Sequence, residues 1–348
     1  MNGLLLLLGT WLAAAAGLIS YMKSSQIKPT ANVSYTPLAP ELLVQEIKHY
    51  LEYAATAYCS SDTHQMHDKG VFQKTVEGSN GNAHAQVYLN KELKQIVISF
   101  RGANNLRQFF KASGTESLEV SRGKTLEVHK YVYSLVESIR YSLYWTLSTL
   151  FLYKRQYRLV LVGHSLGGAM ATLMAPILSS QFKIRPSTIR IITYNSPRVG
   201  NKHFALVYNK FHFNFTRVVN KDDPVPSHPP SEENWAHVHQ EVYINHNNHF
   251  LLCSTESLED ASCSFAKSST HAIVTQHNYI ADQQIFHKFS SRCSSIKAPK
   301  SFSVDVKPPV IQSLFSGGVS DMYFDPEMHY TQPAFSSHIH PTRSTRDR

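Results

Sequence analysis

The chain has 348 residues, of which 42% are hydrophobic and 17% are charged, and its formal net charge is +9 at pH 7. This length and apolar content allow one large domain with a buried core. The 34 basic side chains are scattered along the chain and form no basic blocks interleaved with aromatic residues, so no nucleic-acid partner is expected.

The first 22 residues carry no charged side chain, and Lys23 follows them. This pattern predicts a secretory signal peptide over residues 1–22 and a linker over residues 23–39. The 19 uncharged residues from 4 to 22 approach the length of a membrane-spanning helix, so an uncleaved N-terminal anchor is the alternative. The protein is therefore expected to be secreted or, alternatively, anchored in the secretory pathway.

Four cysteines fit an exported protein, because oxidising compartments allow disulfides. Four thiols permit three pairings, of which we favour Cys253 with Cys263 and Cys59 with Cys293. The first pair would close a short polar loop, and the second would join the start of the folded region to its end. The sequon Asn32-Val33-Ser34 predicts a glycan at Asn32.

The secondary-structure pattern begins with an amphipathic helix. Apolar residues recur at spacings of three and four between Pro40 and Tyr58. Three antiparallel strands are predicted next: Val71–Glu77, His84–Leu89 and Lys94–Phe100. The later predicted elements are the helices Leu106–Lys111 and Leu126–Leu150, strand Tyr157–Val162, helix Ala169–Leu178, strand Thr188–Tyr194, helix Asn201–Lys210 and strand Phe211–Val219.

This alternation predicts an α/β fold over residues 40–296, with a central, mostly parallel sheet, antiparallel edge strands and helices on both faces. From residue 297 onward, prolines stand among many serines and no helical period remains. Residues 297–348 are therefore predicted to be a disordered tail.

The candidate nucleophile is Ser165, in the run Gly163-His164-Ser165-Leu166-Gly167-Gly168 between a predicted strand and a predicted helix. At such a nucleophile elbow the glycines let the backbone turn sharply, and the serine hydroxyl is exposed above the sheet. The alternative is a Gly-rich turn whose glycines serve only close packing.

A serine nucleophile needs a base and a carboxylate, which in α/β-hydrolases follow it in the order Asp, His. Asp223 is the candidate acid, since it follows a predicted strand and precedes a stiff Pro-Val-Pro segment. Asp222 is its rival. Among the histidines that follow, His277 is favoured because it comes late in the domain, in a loop after the last strand signals.

His271 and His287 are the alternatives to His277. A further cluster comprises His237, His239, His246 and His249. It lacks an accompanying carboxylate or cysteine spacing, and alternating histidines in a strand would face opposite sides. No metal site and no cofactor are therefore predicted.

The oxyanion of a tetrahedral intermediate needs preorganised donors. The amide of Leu166 directly follows the nucleophile and is one candidate. The second candidate is the amide of Ala103, because Gly102 after the strand would allow a close approach of the backbone.

Several of these segments carry a family resemblance. They are Ser99-Phe100-Arg101-Gly102, Val128-His129-Lys130, the segment 163–168 around Ser165, Ser196-Pro197-Arg198-Val199-Gly200-Asn201, the segment 223–230 and the segment 237–243. Through them the chain resembles, over about residues 40–293, the class 3 fungal lipases, which are secreted triacylglycerol lipases and related esterases with an α/β-hydrolase core.

The resemblance implies that Ser165, Asp223 and His277 form the triad, that Ala103 and Leu166 supply the oxyanion hole, and that the two favoured disulfides form. It also implies a lid helix at 104–111. A set of apolar residues would form one face of that helix and bury in a lipid interface when the lid opens: Leu106, Phe109 and Phe110. The alternative is a helix packed permanently on the core.

The chain departs from the family pattern at four positions. Ala103 stands where the family usually has Ser or Thr, and Gln276 replaces the common Asp before the histidine. Asn195 and Tyr131 each replace a usual glycine. None of these changes removes a triad member, but a missing oxyanion donor lowers turnover by about 100-fold.

The sequence thus predicts a secreted, monomeric serine ester hydrolase that acts on acylglycerols at a lipid interface without a cofactor. One alternative is an esterase that releases feruloyl or acetyl groups from polysaccharides, which would have a polar lid and no interfacial activation. The other, motivated by Ala103 and the replaced glycines, is a catalytically weakened hydrolase-like binding protein.

Overall fold

The computed structural model describes residues 36–59, 70–79, 81–103, 114–120, 125–238, 240–265, 274–281 and 283–284. The chain divides into two units, residues 1–35 and 36–348, and every described residue lies in the second. The predicted leader, the sequon at Asn32, the lid segment and the tail lie outside the described residues. Within the described ranges, none of the helices has the length and apolarity needed to span a bilayer.

Helices and strands alternate along the chain. The α-helices are α1 (Glu41–Thr56), α2 (Lys130–Lys154), α3 (Leu166–Phe182) and α4 (Lys202–Asn209). The strands are β1 (Val71–Glu77), β2 (His84–Asn90), β3 (Gln95–Phe100), β4 (Ser117–Glu119), β5 (Glu127–His129), β6 (Arg158–His164), β7 (Arg190–Tyr194), β8 (Gly200–Asn201), β9 (Asn214–Asn220), β10 (Trp235–Ala236), β11 (Glu241–Ile244), β12 (Phe250–Leu252), β13 (Tyr279–Ile280) and β14 (Gln283–Gln284).

The main sheet has eight strands in the order β1-β2-β3-β6-β7-β9-β11-β12. The strands from β3 to β11 run parallel, whereas β1, β2 and β12 pair antiparallel at the two ends. This topology confirms the predicted fold class. The carboxyl ends of the parallel strands meet at one edge of the sheet, which is where ligand and catalytic sites of such folds lie.

Helices cover both faces of the sheet, because the central strands are apolar on both sides. On one face, α1 buries Ile47, Leu51 and Ala54 against strand residues such as Val160. On the other face, α2, α3 and α4 pack on strand residues such as Leu161. The apolar residues of α1, spaced three and four apart, therefore present one apolar stripe to the sheet, as the sequence pattern predicted.

The predicted helix over Leu126–Leu150 is wrong at its start, because residues 127–129 form β5 and the helix α2 begins at Lys130. β5 pairs with β4 and β8 in a four-stranded sheet that also contains β10. These long-range pairings override the local helical pattern. Likewise, the strand predicted from Phe211 begins only at Asn214.

The two edges of the main sheet differ from its centre. In β1 the pairing with β2 shifts register between Phe72 and Lys74, which marks a bulge. Beside β12, Leu38 forms a bridge with Leu251, and the amide of Leu252 donates to the carbonyl of Pro37 at 2.8 Å. The last residues of the predicted linker thus pair with the β12 edge.

Candidate active site

Ser165 lies between β6 and α3, at the carboxyl edge of the parallel strands. Its backbone has φ 57° and ψ −131°, a conformation that non-glycine residues rarely adopt. The Ser165 amide donates to the carbonyl of Tyr194 on β7 at 2.8 Å, which ties the turn to the sheet. This geometry is that of a nucleophile elbow.

The glycines of the elbow allow close contact of backbones. A Cβ atom on Gly163 would lie 2.2 Å from the carbonyl oxygen of Gly167. A Cβ atom on Gly167 would lie 2.1 Å from the carbonyl oxygen of Phe100 on β3. Neither separation leaves room for a side chain, so the sharp turn requires glycine at positions 163 and 167. The left-handed φ of the turn belongs to Ser165 itself.

Asp223 is held in the loop that follows β9. Its Oδ1 accepts a hydrogen bond from the amide of Val225 at 2.9 Å, and its Oδ2 lies 2.7 Å from Nδ1 of His277. Both side chains are fully buried. Because Asp223 accepts at Nδ1–H, the other ring nitrogen of His277 is left as an acceptor in the neutral imidazole.

His277 lies in the 3₁₀ segment Val274–Asn278, with its ring centroid 4.6 Å from that of His164, the residue before Ser165. Nε2 of His277 and Oγ of Ser165 are both buried, and neither has a hydrogen-bond partner among the described residues. The arrangement thus provides a serine hydroxyl, an oriented imidazole and a buried carboxylate in one region.

The rival acid, Asp222, has a different neighbour. Its Oδ2 lies 2.9 Å from Nε2 of His246, whose side chain is 60% exposed. The alternative histidines, His271 and His287, lie outside the described residues.

The candidate oxyanion donors lie on two elements. The amide of Leu166 opens the first turn of α3, where N–H groups have no partner within the helix and the helix dipole favours negative charge. Ala103 is half-buried and follows Gly102, at which a Cβ atom would lie 2.6 Å from the carbonyl oxygen of His164. Gly102 therefore permits the close approach that the sequence predicted. The donor roles of both amides stay predictions.

Replacing Ala103 with serine is expected to raise kcat by about 10- to 100-fold, because the new hydroxyl would add a donor where charge develops. The measurement is kcat on a soluble p-nitrophenyl ester. Ala103→Thr should give a similar gain, and Ala103→Val, which has the shape of threonine without a donor, is the control and should give none. An unchanged or lower kcat in Ala103→Ser would show that position 103 does not face the oxyanion.

Tyr58 is a site residue that the sequence did not reveal. Its Oη lies 2.8 Å from Nδ1 of His164, and Nε2 of His164 lies 2.9 Å from the carbonyl oxygen of His277. Because a carbonyl oxygen can only accept a hydrogen bond, Nε2 of His164 carries the ring proton. Nδ1 of His164 therefore accepts a hydrogen bond from the hydroxyl of Tyr58. Burial, together with the nearby His277, lowers the pKa of His164 well below its ordinary value of 6.5 and keeps this link neutral.

Arg198 and Glu259 form a buried ion pair behind the Asp223 loop. The guanidinium binds Glu259 through two hydrogen bonds, of 2.7 Å and 2.6 Å, and donates to the carbonyls of Ser227 and Pro229. Burial works to raise the pKa of Glu259, but the hydrogen bond from Arg198, together with the nearby His237, Arg198 and Arg217 side chains, outweighs it and lowers the pKa from 4.5 to about 2. Arg198 belongs to a predicted motif, whereas Glu259 is 61 residues away and carried no signal.

The histidine cluster has three described members, in contrasting places, and one of them, His249, is an exposed residue just before β12. His237 follows β10 and is not part of a strand. Its Nε2 lies 2.7 Å from the carbonyl oxygen of Pro226. His246 is the exposed partner of Asp222. Among the described residues, a separate group of potential metal ligands comprises Glu241, Cys253 and Cys263.

Cys253 and Cys263 form a disulfide with an S–S length of 2.05 Å, as predicted. Their thiols are therefore not available to a metal. The pairing of Cys59 with Cys293 stays a prediction, because Cys293 lies outside the described residues.

Comparisons with known proteins show which family and which solved folds the chain resembles. The family model "Lipase (class 3)" matches residues 97–233. The lipase of Rhizopus niveus is 26% identical over 232 residues, which cover 64% of this chain and 59% of that protein. Secreted mono- and diacylglycerol lipase 1 of Fusarium solani is 28% identical over 218 residues, which cover 58% of this chain and 64% of that protein.

The chain thus spans about 59% and 64% of the lengths of these curated relatives. The solved structure of lipase II from Rhizopus niveus is similar with a TM-score of 0.67 and 26% identity, over 72% of this chain and 98% of that one.

Proposed function

The chain belongs to the class 3 lipase family, and from that premise we propose that it is a serine ester hydrolase that cleaves acylglycerols. Ser165 Oγ attacks the ester carbonyl carbon while His277 Nε2 takes the hydroxyl proton. The tetrahedral intermediate then collapses, and His277 gives that proton to the departing alcohol. Water, deprotonated by His277, attacks the acyl-enzyme, and the fatty acid leaves with Ser165 regenerated.

The remaining residues act on charge and orientation. Asp223 fixes the tautomer of His277 and stabilises the imidazolium that forms twice in each cycle. The amides of Leu166 and Ala103 donate to the oxyanion. The steps use no cofactor.

One observation carries this proposal. The buried contact of 2.7 Å between Asp223 Oδ2 and His277 Nδ1 lies beside an elbow whose serine has φ 57°. A left-handed backbone at a non-glycine residue is held at an energetic cost of about 1–3 kcal/mol, which supports a functional reason for it.

Acylglycerols are the favoured substrates for two reasons. The relatives are named lipases, and the Fusarium solani relative is named a mono- and diacylglycerol lipase. In addition, the predicted lid has one apolar face, which would bury in a lipid interface and couple opening to the presence of lipid.

The test is fatty-acid release by the purified full chain, titrated with a triacylglycerol from dissolved to emulsified concentrations, with Ser165→Ala as the control. We expect Ser165-dependent release that rises sharply once the emulsion forms. Activity without that rise would contradict activation by a lid at the lipid interface and would favour a partial-glyceride lipase or another esterase. Absence of Ser165-dependent release on any ester would refute the enzyme and favour the binding protein.

We further propose that the protein is secreted. The disulfide between Cys253 and Cys263, the predicted signal over residues 1–22 and the word "secreted" in the name of the Fusarium solani relative support this. N-terminal sequencing of protein recovered from the medium should find a start near residue 23. A start at Met1 in membrane-bound protein would favour the anchor.

A further inference from the structure

Two buried asparagines lie at the carboxyl ends of neighbouring strands, next to the segment that carries His277. Asn195 directly follows β7, and Asn220 is the last residue of β9. These strands are parallel neighbours, with Tyr194 opposite Val218, so both asparagines lie at the catalytic edge of the sheet. Both are fully buried.

Their side chains bind the backbone on each side of the imidazole. Nδ2 of Asn195 lies 3.4 Å from the carbonyl oxygen of His277 and 3.3 Å from that of Tyr279. Nδ2 of Asn220 lies 3.3 Å from the carbonyl oxygen of Gln276, and its Oδ1 accepts from the amide of Ala281 at 3.0 Å. Side-chain amides therefore contact this segment from residue 276 to residue 281.

The two asparagines also hold each other. Oδ1 of Asn195 accepts a hydrogen bond from the amide of Asn220 at 2.8 Å. The Asn195 amide donates to the carbonyl of Val218 at 2.8 Å, so its backbone is fixed to β9 as well. The amide group of Asn195 is thus presented in one direction, toward the carbonyl of His277.

The backbone of Asn195 limits which residues can provide this contact. Its φ is 48°, in the left-handed region that glycine and asparagine tolerate best. Glycine would fit that backbone but would have no amide to donate. Asparagine satisfies both requirements.

The segment around His277 needs such external contacts, since its own regular structure is short. It consists of the 3₁₀ segment Val274–Asn278 and the two-residue strand β13. The carbonyl of His277 receives one more contact, from Nε2 of His164 at 2.9 Å. The imidazole position therefore depends on side chains at the carboxyl ends of β6, β7 and β9.

We propose that Asn195 is a positioning residue for His277: its amide fixes the backbone that carries the imidazole, so that Nδ1 stays on Asp223 and Nε2 stays directed at the reacting serine. This inference rests on the proposed ester hydrolase activity. The two contacts of Asn195 Nδ2 are long for hydrogen bonds, so the expected effect of the residue is about tenfold on kcat, well below the effect of removing a triad member.

The test compares Asn195→Gly with the wild-type full chain on a soluble p-nitrophenyl ester. Glycine keeps the left-handed backbone and removes the whole side-chain amide, both the Nδ2 donor and the Oδ1 that accepts from the amide of Asn220. We expect kcat to fall about tenfold with KM unchanged, because the loss concerns the reacting geometry and not substrate binding. Titration of reactive serines with a p-nitrophenyl phosphonate gives kcat per competent site and separates this effect from misfolding.

The pH profile provides a readout that a purely structural role would not change. An imidazole that leaves Asp223 more often loses stabilisation of its protonated form. The acid limb of kcat/KM should therefore move to lower pH in Asn195→Gly. The matched control is Asn234→Gly, at an exposed asparagine that also has a left-handed backbone, with φ 69°, and it should match the wild type in kcat and profile.

A second variant, Asn195→Asp, keeps the size and the acceptor but replaces the donor with an oxygen that faces two carbonyls. It should lose at least as much kcat as Asn195→Gly. The positioning role would be overturned if either variant kept the wild-type kcat and the wild-type acid limb of kcat/KM. It would also be overturned if the loss of kcat were explained entirely by fewer titratable serines. If the wild type itself has no Ser165-dependent turnover, the proposed function fails instead.

Discussion

Replacing Asp223 with asparagine is expected to lower kcat for ester hydrolysis by about 10⁴-fold, as for triad aspartates in serine hydrolases. The carboxylate is fully buried and accepts from Nδ1 of His277 at 2.7 Å. An amide in its place has no negative charge for the imidazolium and can hold the wrong tautomer, with the proton on Nε2. The serine would then lose its base. The measurement is kcat on a soluble p-nitrophenyl ester, per reactive serine.

Asp222→Asn is the matched control, one residue earlier in the same loop. Asp222 contacts the exposed His246, so this variant should keep kcat near the wild-type value. His277→Ala should lower kcat at least as far as Asp223→Asn does, and the double variant should lose little more than His277→Ala alone, since the two residues act as one unit. An inactive Asp222→Asn beside an active Asp223→Asn would reverse the assignment of the acid.

Replacing Glu259 with glutamine is expected to lower the free energy of unfolding by about 3 kcal/mol, because it leaves Arg198 as a buried charge without its counterion. The side chains of Arg198 and Glu259 are only 3% and 9% exposed. The loop from Ser227 to Pro229 should loosen as well, since Arg198 donates to both of these carbonyls. Equilibrium denaturation by urea at pH 7 measures the difference.

The difference in the free energy of unfolding between the wild type and Glu259→Gln should decrease as the pH falls. The pKa of Glu259 is lowered from 4.5 to about 2 in the fold, so its charge contributes stability above pH 4.5, and that contribution is lost as the pH falls through 2. The gap between wild type and Glu259→Gln should therefore narrow in acid. Glu116→Gln, in an exposed pair with Lys130, is the control and should leave the midpoint unchanged. A constant gap from pH 7 to pH 2 would contradict the ion-pair explanation.

Local pattern was sufficient for the elements that build the elbow. The apolar run before Gly163, the glycines and the following helix are contiguous, so β6, Ser165 and α3 could be predicted together. The alternation of strands and helices likewise predicted a mostly parallel sheet. The error at β5 arose because three residues joined a sheet through partners distant in sequence, which a helical period cannot reveal.

The supporting contacts of the site were beyond local pattern. Tyr58 is 106 residues from His164, and Asn195 is 82 residues from His277. Such pairs meet only through the strand order, which brings the ends of β6, β7 and β9 together. The sequence showed that asparagine replaces a usual glycine at position 195, but it did not show that the side chain of Asn195 contacts the carbonyl of His277.

The edges of the main sheet have a consequence for self-association. An unprotected edge strand can pair with the same strand of another molecule and start aggregation. Here the bulge beside Lys74 disrupts the outer strand β1, and residues 37–39 pair along β12. Both ends of the main sheet are therefore poor templates for a further strand, so contacts between copies at these two edges would have to form through side chains instead of shared backbone hydrogen bonds.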